Sequence, residues 1–480
     1  MVVIKSYKTT FYKRKKYFMK KIFLSILAAI LFVPVFAEGY QVNVLSTKQT
    51  GMGHVGTGMK LGAESMHFNP AGLVFMNNAF DFSMGISAVS AKAKYSKDGY
   101  SEKTDNPIST PLYAYAGFKI YDNFAAGIAL TTPYGSSLKW PKNWKGSNLI
   151  QDISLKSYVI QPTFSYKITE KLSIGVGLDL AIGNVKLSRA LFSPSEFQTL
   201  KGAIALIPPD KLPDADKQEI LNTISSIDGA VPVAATLDGK AKVRAGFNVG
   251  IMYDVCDQLT LGLSYRSRIK MKVKEGDATL NYASAKIEQL FMQLGQLNPK
   301  LQVPPLNEGT FKAELPLPSN LTLGVSYRPT ERWEVALDLQ YVGWQAYDSL
   351  NVQFTPNVLN GYTIKAEKNY KNTIIARVGA QYKTTDRLDL RAGIYFDQSP
   401  IRSNNYNPET PGMNKLGISA GLTFEPINRF QIDFAFLYIQ GFSRNGSYTL
   451  KNVVTQQMEE FSGKYKSNAI TASLGVAYRF

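Results

Sequence analysis

The sequence predicts an all-β protein: a transmembrane β-barrel of about 14 antiparallel strands, with an amino-terminal hatch inside the lumen. Three observations carry this: the last strand, the first 37 residues, and a period-two pattern whose connections alternate in length. At the carboxy terminus Ile470, Ala472, Leu474, Val476, Tyr478 and Phe480 share one parity, and Thr471, Ser473, Gly475, Ala477 and Arg479 the other. Successive side chains of a strand point to opposite faces. This strand therefore carries apolar residues outside and small or polar ones inside, and it ends on an aromatic. An outer-membrane barrel needs such an end, because the last strand closes the cylinder and carries an aromatic at the interface girdle.

At the other terminus Lys13-Arg14-Lys15-Lys16 and Lys20-Lys21 precede an apolar run from 22 to 36 that stops at Val35-Phe36-Ala37. A basic region, an apolar core and a small residue at the cut describe a secretory signal peptide over 1–37. The run is short for a spanning helix, which needs roughly 20 apolar residues. Met19-Lys20-Lys21 also reads as a signal start, which makes 1–18 an upstream extension. Cleavage after Ala37 lowers the net charge from +17 to +9, because the first 37 residues hold eight Lys or Arg and no acid. That is modest for the length. It gives no dense basic patch for nucleic acid, although mild positive charge suits anionic outer-membrane lipids.

Residues 39–75 come next, with Gly51, Gly53, Gly56, Gly58 and Gly62 and no clear alternation. A simple porin begins its barrel almost at once. Here the chain is long enough to fold back as a plug, and we assign 38–78 to the hatch and 79–480 to the barrel. Clear strands follow. Over 171–180, Leu172, Ile174, Val176, Leu178 and Leu180 alternate with Ser173, Gly175, Gly177 and Asp179. The same alternation runs through 333–341, 388–397 and 430–438. Short polar turns fall at 121–123, 169–171, 254–258, 329–332, 384–387 and 425–429, with longer irregular stretches between them. Short turns on one side and long loops on the other, with an even strand number, place both chain ends on the periplasmic side.

Two long loops carry apolar helical patterns, near 190–230 and 283–300. Phe197, Leu200 and Ile204 form one set, and Leu290, Phe291 and Leu294 lie in another. They either pack on one another to cap the barrel or offer an apolar ligand a landing groove at the outer mouth.

Enzymatic chemistry is not expected. His54 and His67 are the two histidines and both lie in the hatch, leaving no base for a serine nucleophile in the wall. The single Cys256 excludes an intramolecular disulfide framework and a cysteine-cluster metal site. No phosphate-binding loop is evident. Neither metal nor cofactor is expected.

The residues then resemble a known family, the FadL/TodX type of outer-membrane transporters of hydrophobic substrates. The resemblance spans the mature chain. It rests on Gly39-Tyr40-Gln41, Asn69-Pro70-Ala71-Gly72-Leu73, Leu130-Thr131-Thr132-Pro133-Tyr134-Gly135 after a short third strand, Gln161-Pro162-Thr163-Phe164-Ser165-Tyr166, Tyr395-Phe396-Asp397-Gln398-Ser399-Pro400, and Phe480. It implies passive uptake of long-chain fatty acids or small hydrocarbons by a monomeric barrel, inserted by the barrel-assembly machinery through Phe480. It also implies lateral release where the third strand kinks. Pro133 and Gly135 sit there, and proline cannot donate to the ladder while glycine weakens it, so Thr132, Pro133, Tyr134 and Gly135 are the candidate exit. An ordinary strand end at Pro133 is the alternative. Asn69, Pro70 and Ala71 are carried over as a hatch element that shifts with ligand, or as a tight turn that seats the hatch. For a carboxylate, Arg377 and Arg391 face inward by parity and are expected at similar heights; a structural network with Asp389 and Asp397 competes. A general porin, an aromatic-hydrocarbon channel and a purely structural barrel remain the other readings.

Overall fold

Backbone N–H and C=O groups have no water to bond in the hydrocarbon of a bilayer, so a spanning sheet must close on itself. The computed structural model, which describes residues 39–355 and 363–480, does so; the expected signal peptide lies outside the described residues. Fourteen antiparallel strands form a ring. They are β1 (Phe80–Lys97), β2 (Leu112–Tyr121), β3 (Phe124–Lys139), β4 (Asp152–Thr169), β5 (Leu172–Ala190), β6 (Val233–Cys256) and β7 (Leu259–Arg266). The circuit continues with β8 (Asn320–Tyr327), β9 (Trp333–Val342), β10 (Thr373–Thr385), β11 (Leu388–Asp397), β12 (Lys415–Ile427), β13 (Phe430–Gly441) and β14 (Met458–Arg479). Each strand pairs with the next, and β14 returns to β1 from Asp81 opposite Arg479 to Ser96 opposite Lys464. Phe80 and Phe480 exchange two backbone hydrogen bonds of 2.8 Å at the seam.

The chain turns at 122–123, 170–171, 257–258, 328–332, 386–387 and 428–429 on one rim. On the other rim six further strands, among them Ile269–Tyr282, Thr310–Leu317 and Ser349–Phe354, extend the wall into the loops. Burial is inverted relative to a water-soluble protein. On β14, Ile470, Leu474 and Tyr478 are 42–48% exposed, whereas Thr471, Ser473 and Ala477 are buried. The apolar parity faces lipid, as the hydrophobic effect requires of a barrel. No helix among the described residues is long and apolar enough to cross a membrane.

The hatch occupies the lumen from Gly39 to Ala79, with short helical turns at Thr47–Thr50, Gly62–Glu64, Ser65–Phe68 and Pro70–Phe75. Inward-facing wall glycines let its backbone approach. A Cβ on Gly262 would lie 1.9 Å from the Thr57 carbonyl oxygen, and one on Gly393 would lie 2.1 Å from the Gly53 nitrogen. Gly53 itself has φ +68°, a region that costs other residues strain. Between these contacts the buried Asp338 carboxylate of β9 accepts from Gly56 N (2.9 Å), Thr57 N (3.1 Å) and Thr57 Oγ1 (3.0 Å).

Asn69-Pro70-Ala71 is tied to three wall strands. Asn69 Nδ2 donates to the carbonyls of Thr57 (2.9 Å) and Ile251 of β6 (3.0 Å), and Asn69 Oδ1 accepts from Ala71 N (3.1 Å). The Ala71 carbonyl accepts from Ser165 Oγ of β4 (3.2 Å) and Ser173 Oγ of β5 (2.8 Å). Moving this turn would leave several buried groups unpaired, each costing about 1–3 kcal/mol. Together these bonds hold the turn against β4, β5 and β6.

Two outcomes follow from this seating. Asn69→Ala removes the cap, the bond to Thr57 within the hatch and the wall bond to Ile251, a loss on the order of 1–2 kcal/mol; ion conductance across planar bilayers is expected to rise as the hatch loosens, and unchanged conductance contradicts the seating. Gly393→Val forces a side chain into the hatch backbone, at about 1–3 kcal/mol or more. The thermal midpoint of the purified barrel should drop, while Gly202→Ala, whose Cβ meets nothing within 4 Å, leaves it unchanged.

Candidate functional site

β3 has two halves with different partners. From Phe124 to Thr131 it is paired on both sides, with β2 as far as Tyr113 opposite Thr131 and with β4 as far as Thr131 opposite Val159. The register with β4 then shifts, so that Thr132 and Pro133 together face Tyr158 before Tyr134 pairs with Ser157. Such a bulge bends the strand, and Pro133 has no N–H to offer a ladder. The free edge is taken up from inside the barrel. Pro133 O accepts from Val42 N (2.8 Å), Gly135 N donates to Tyr40 O (3.0 Å), and Gln41 forms an antiparallel bridge to Tyr134. The start of the hatch thus serves as a short strand along the upper half of β3.

β2 leaves β3 at this level. Its last tie is the Thr132 hydroxyl, which accepts from Leu112 N (3.0 Å) and donates to Leu112 O (3.1 Å). The chain before it, 104–111, follows β1: Val89 N and Ser109 N each donate to the other's carbonyl at 2.8 and 3.0 Å, and Asn106 Nδ2 donates to Ala91 O at 2.9 Å. It meets β3 again at Lys139, whose carbonyl accepts from Asp105 N and whose N–H donates to Asn106 Oδ1, both at 2.8 Å. Between Thr132 below and Lys139 above, the wall parts. A cavity of about 520 Å³ occupies the opening, bounded outside by Ile108 and Pro111 and inside by Val44, Tyr395 and Leu437. Ile108 is 65% exposed on the outer side. Thr132, Tyr134 and Gly135 line this opening, while the buried Pro133 forms the bulge behind it.

A smaller, nearly apolar chamber of about 70 Å³ adjoins it, and Ser136, Leu155 and Thr410 line both. Tyr40, Leu187, Met271, Leu315 and Tyr347 are among the other residues of its lining. Tyr40 packs edge-on against Trp344 (4.9 Å) and Tyr347 (5.8 Å). Burial, then the neighbouring Glu409 carboxylate, holds the Tyr347 phenol well above its usual range, so it stays neutral. Beside this cluster lies a buried ion pair, Lys368 to Glu409 at 2.9 Å, with 1% and 6% of the side chains exposed. It sits in irregular loops, where no periodicity points to it.

Arg377 and Arg391 both face inward, but they do not meet. Arg377 stands opposite Tyr395 and Arg391 opposite Gln381, four residues further along β10, which is about 13 Å at strand rise. Parity fixes the face of a strand residue but not its height: from the turn at 386–387 Arg377 is nine residues away (386 − 377) and Arg391 four (391 − 387), and the bulge between Lys383 and Thr385 shifts the register by a single residue. Arg377 donates to Gln340 Oε1 (2.6 Å) and lines a polar cavity of about 60 Å³ with His54, His67 and Arg266. Arg391 donates to Gln381 (2.8 Å) and Thr423 (2.5 Å) and lies 3.6 Å from Asp389. Sequence reasoning missed Arg266. It shares the inward parity of Gly262 and Ser264 and is bonded to Asp179 at 2.7 Å.

The loop helices Pro194–Ala205, Asp214–Ser225 and Ala285–Leu297 converge in one cluster. Ser193 and Glu196 form a reciprocal cap at the start of the first. Phe197, Leu200, Ile204, Leu290, Phe291 and Leu294 are 1–3% exposed, with Phe197 and Phe291 ring centres 6.0 Å apart. The space between the helices is filled by their own side chains, because each narrow apolar stripe is covered by its neighbours.

Known proteins share this fold. Residues 28–480 match the family described as outer membrane protein transport protein (OMPP1/FadL/TodX). The long-chain fatty acid transport protein of Escherichia coli O157:H7 is 25% identical over 428 residues, covering 87% of this chain and 91% of that protein. Among solved structures, a Pseudomonas aeruginosa FadL homologue superposes with a TM-score of 0.74 at 18% identity, covering 92% of this chain and all of that one. The Pseudomonas putida toluene transporter TodX superposes with a TM-score of 0.60 at 18% identity, over 93% of this chain and 99% of that one. This chain belongs to the OMPP1/FadL/TodX family of outer-membrane transport proteins.

Proposed function

We propose that the protein takes up long-chain fatty acids and releases them sideways into the membrane through the opening beside β3. The observation that carries the reading is the opening itself: a wall interrupted between Thr132 and Lys139, filled by a cavity of about 520 Å³, next to an apolar chamber. Each methylene returned to water costs about 0.8 kcal/mol. A route that ends in lipid avoids that cost, whereas one through the periplasmic side meets the hatch. The lumen-filling hatch also argues against a general diffusion porin. Release would require the hatch start, Tyr40 to Val42, to slide or detach from β3, with Asn69-Pro70-Ala71 as the fixed end. The loop-helix cap would have to gape for entry, exposing Phe197, Leu200, Ile204, Leu290, Phe291 and Leu294. Of Arg377 and Arg391, Arg377 is the candidate for a carboxylate, since Arg391 is engaged by Gln381, Thr423 and Asp389. The barrel acts as a monomer in this reading, with Phe480 presented to the assembly machinery.

The small size of the apolar chamber, with Tyr40 and Tyr347 in its wall, favours a second reading, an aromatic hydrocarbon such as toluene. Two experiments separate the possibilities. Cells without a fatty-acid channel of their own should accumulate labelled oleate when they make this protein. Deleting Pro133 would pair Thr132 with Tyr158 and let the ladder run through, and uptake should fall to background; Pro133→Ala, which keeps the residue count, should give a smaller loss. Full uptake by the deletion variant would rule out the sideways route. Arg377→Leu should lower oleate uptake and leave toluene entry unchanged, and an equal loss of both would remove Arg377 from head-group recognition.

A further inference from the structure

Above the lipid-facing apolar band the outward positions of consecutive strands change to lysine. On β4 the outward side runs from Ile160 up to Lys156, and on β5 from Ile182 up to Lys186. On β6 it runs from Phe247 and Val243 up to Lys242 and Lys240. The added strand Ile269–Tyr282 turns Ile269, Met271 and Val273 inward, which leaves Lys270, Lys272 and Lys274 outside. The register joins these positions into a belt. Asn184 lies between Lys156 and Lys240. Lys274 falls in the irregular stretch between Lys240 on one side and Lys312 on the other. Lys270, Lys272, Lys274 and Lys312 line a concavity of about 630 Å³ that also holds Glu275 and Glu314, and Lys272 is ion-paired with Glu314.

Acids on the same face answer part of this charge: Asp238 lies opposite both Lys186 and Asp277, and Glu314 pairs with Lys272. Like charges on neighbouring strands repel, so Lys240, Lys274 and Lys312, which meet across the irregular stretch, call for an anion from outside. The turn rim is different: there Lys119, Lys167 and Lys383 are matched by Asp122, Glu170 and Asp386 at 3.6, 3.9 and 3.0 Å. The belt lies on the loop rim, immediately above Val243, Tyr265 and Leu321, which are 36–61% exposed. In an outer-membrane barrel that level is the headgroup layer of the outer leaflet.

We propose that Lys240, Lys274 and Lys312 form a binding site for the phosphate groups of a phosphorylated glycolipid of the outer leaflet, of the lipid A type. The acyl chains would lie on the apolar band below, and each lysine would contribute by its closeness to an anionic headgroup. The site is separate from the transport route and stands whether or not the substrate is a fatty acid.

The test uses the purified full barrel in nanodiscs, with bisphosphorylated lipid A, dephosphorylated lipid A and inorganic phosphate as probes, read by native mass spectrometry. Bisphosphorylated lipid A is expected to bind the wild type and a Lys119→Gln/Lys167→Gln/Lys383→Gln control alike. Its affinity should fall roughly tenfold or more in Lys240→Gln/Lys274→Gln/Lys312→Gln. Dephosphorylated lipid should bind weakly to all three, and inorganic phosphate at equal phosphate concentration should not compete, because it lacks the chains. Equal binding of the two lipids, undiminished binding by the belt variant, full competition by inorganic phosphate or an equal loss in the control would overturn the proposal. Should the belt variant fail to assemble, the wild type decides: raised salt should release bisphosphorylated lipid A, since ionic contacts are screened, and release unaffected by salt would also overturn it.

Discussion

Backbone hydrogen bonding in a medium without water is the constraint from which the rest of this structure follows. A ring of strands satisfies it, and the ring can be opened only where another group takes the released bonds. At β3 three substitutes do so. The Thr132 hydroxyl stands in for a ladder partner at Leu112, the Asn106 side chain does so at Lys139, and the hatch backbone at Tyr40 and Val42 pairs with Gly135 and Pro133. The opening is therefore a wall whose bonds are rerouted, and part of that rerouting belongs to an element that also fills the lumen.

This couples the hatch to the opening. The inner end of the hatch is fixed by Asn69, by the Asp338 carboxylate and by the close approach at Gly262 and Gly393. The outer end, at Tyr40 to Val42, is held to β3 by two backbone hydrogen bonds, and elsewhere by packing of Tyr40 on Trp344 and Tyr347 and by its hydroxyl, which donates to the Pro316 carbonyl. Two bonds of that kind are worth about 1–3 kcal/mol together, within reach of what a few buried methylenes return. An apolar ligand entering the chamber beside Tyr40 can thus compete with the outer end and leave the inner end seated.

Much of this was legible in the chain because barrel strands obey a period of two. The parity of Ile470 to Phe480 marks the lipid face, the turns near 170 and 386 lie where polar residues interrupt alternation, and the surplus of chain before Phe80 with its glycines marks the hatch. Parity carried face but not height, which is why Arg377 and Arg391 are separated by the register. It carried apolar stripes but not their partners, so Phe197 and Phe291 could be read as a groove when they cover each other. The pairing of Gln41 with Tyr134 and the buried Lys368–Glu409 pair lie in short or irregular segments, where no repeat exists to be read. The lysine belt was readable by parity once the loop-side strands were placed.

The most direct measurement is where a hydrophobic chain touches the protein on its way out. A photoactivatable oleate analogue, cross-linked in living cells that make this protein and mapped by peptide mass spectrometry, would report it. Adducts on the flanks of the opening, at Ile108, Pro111, Ser136 and Leu138, are the result expected of sideways release. Adducts confined to the periplasmic face of the hatch, around Lys60 and Phe75, would show passage through the plug and contradict it.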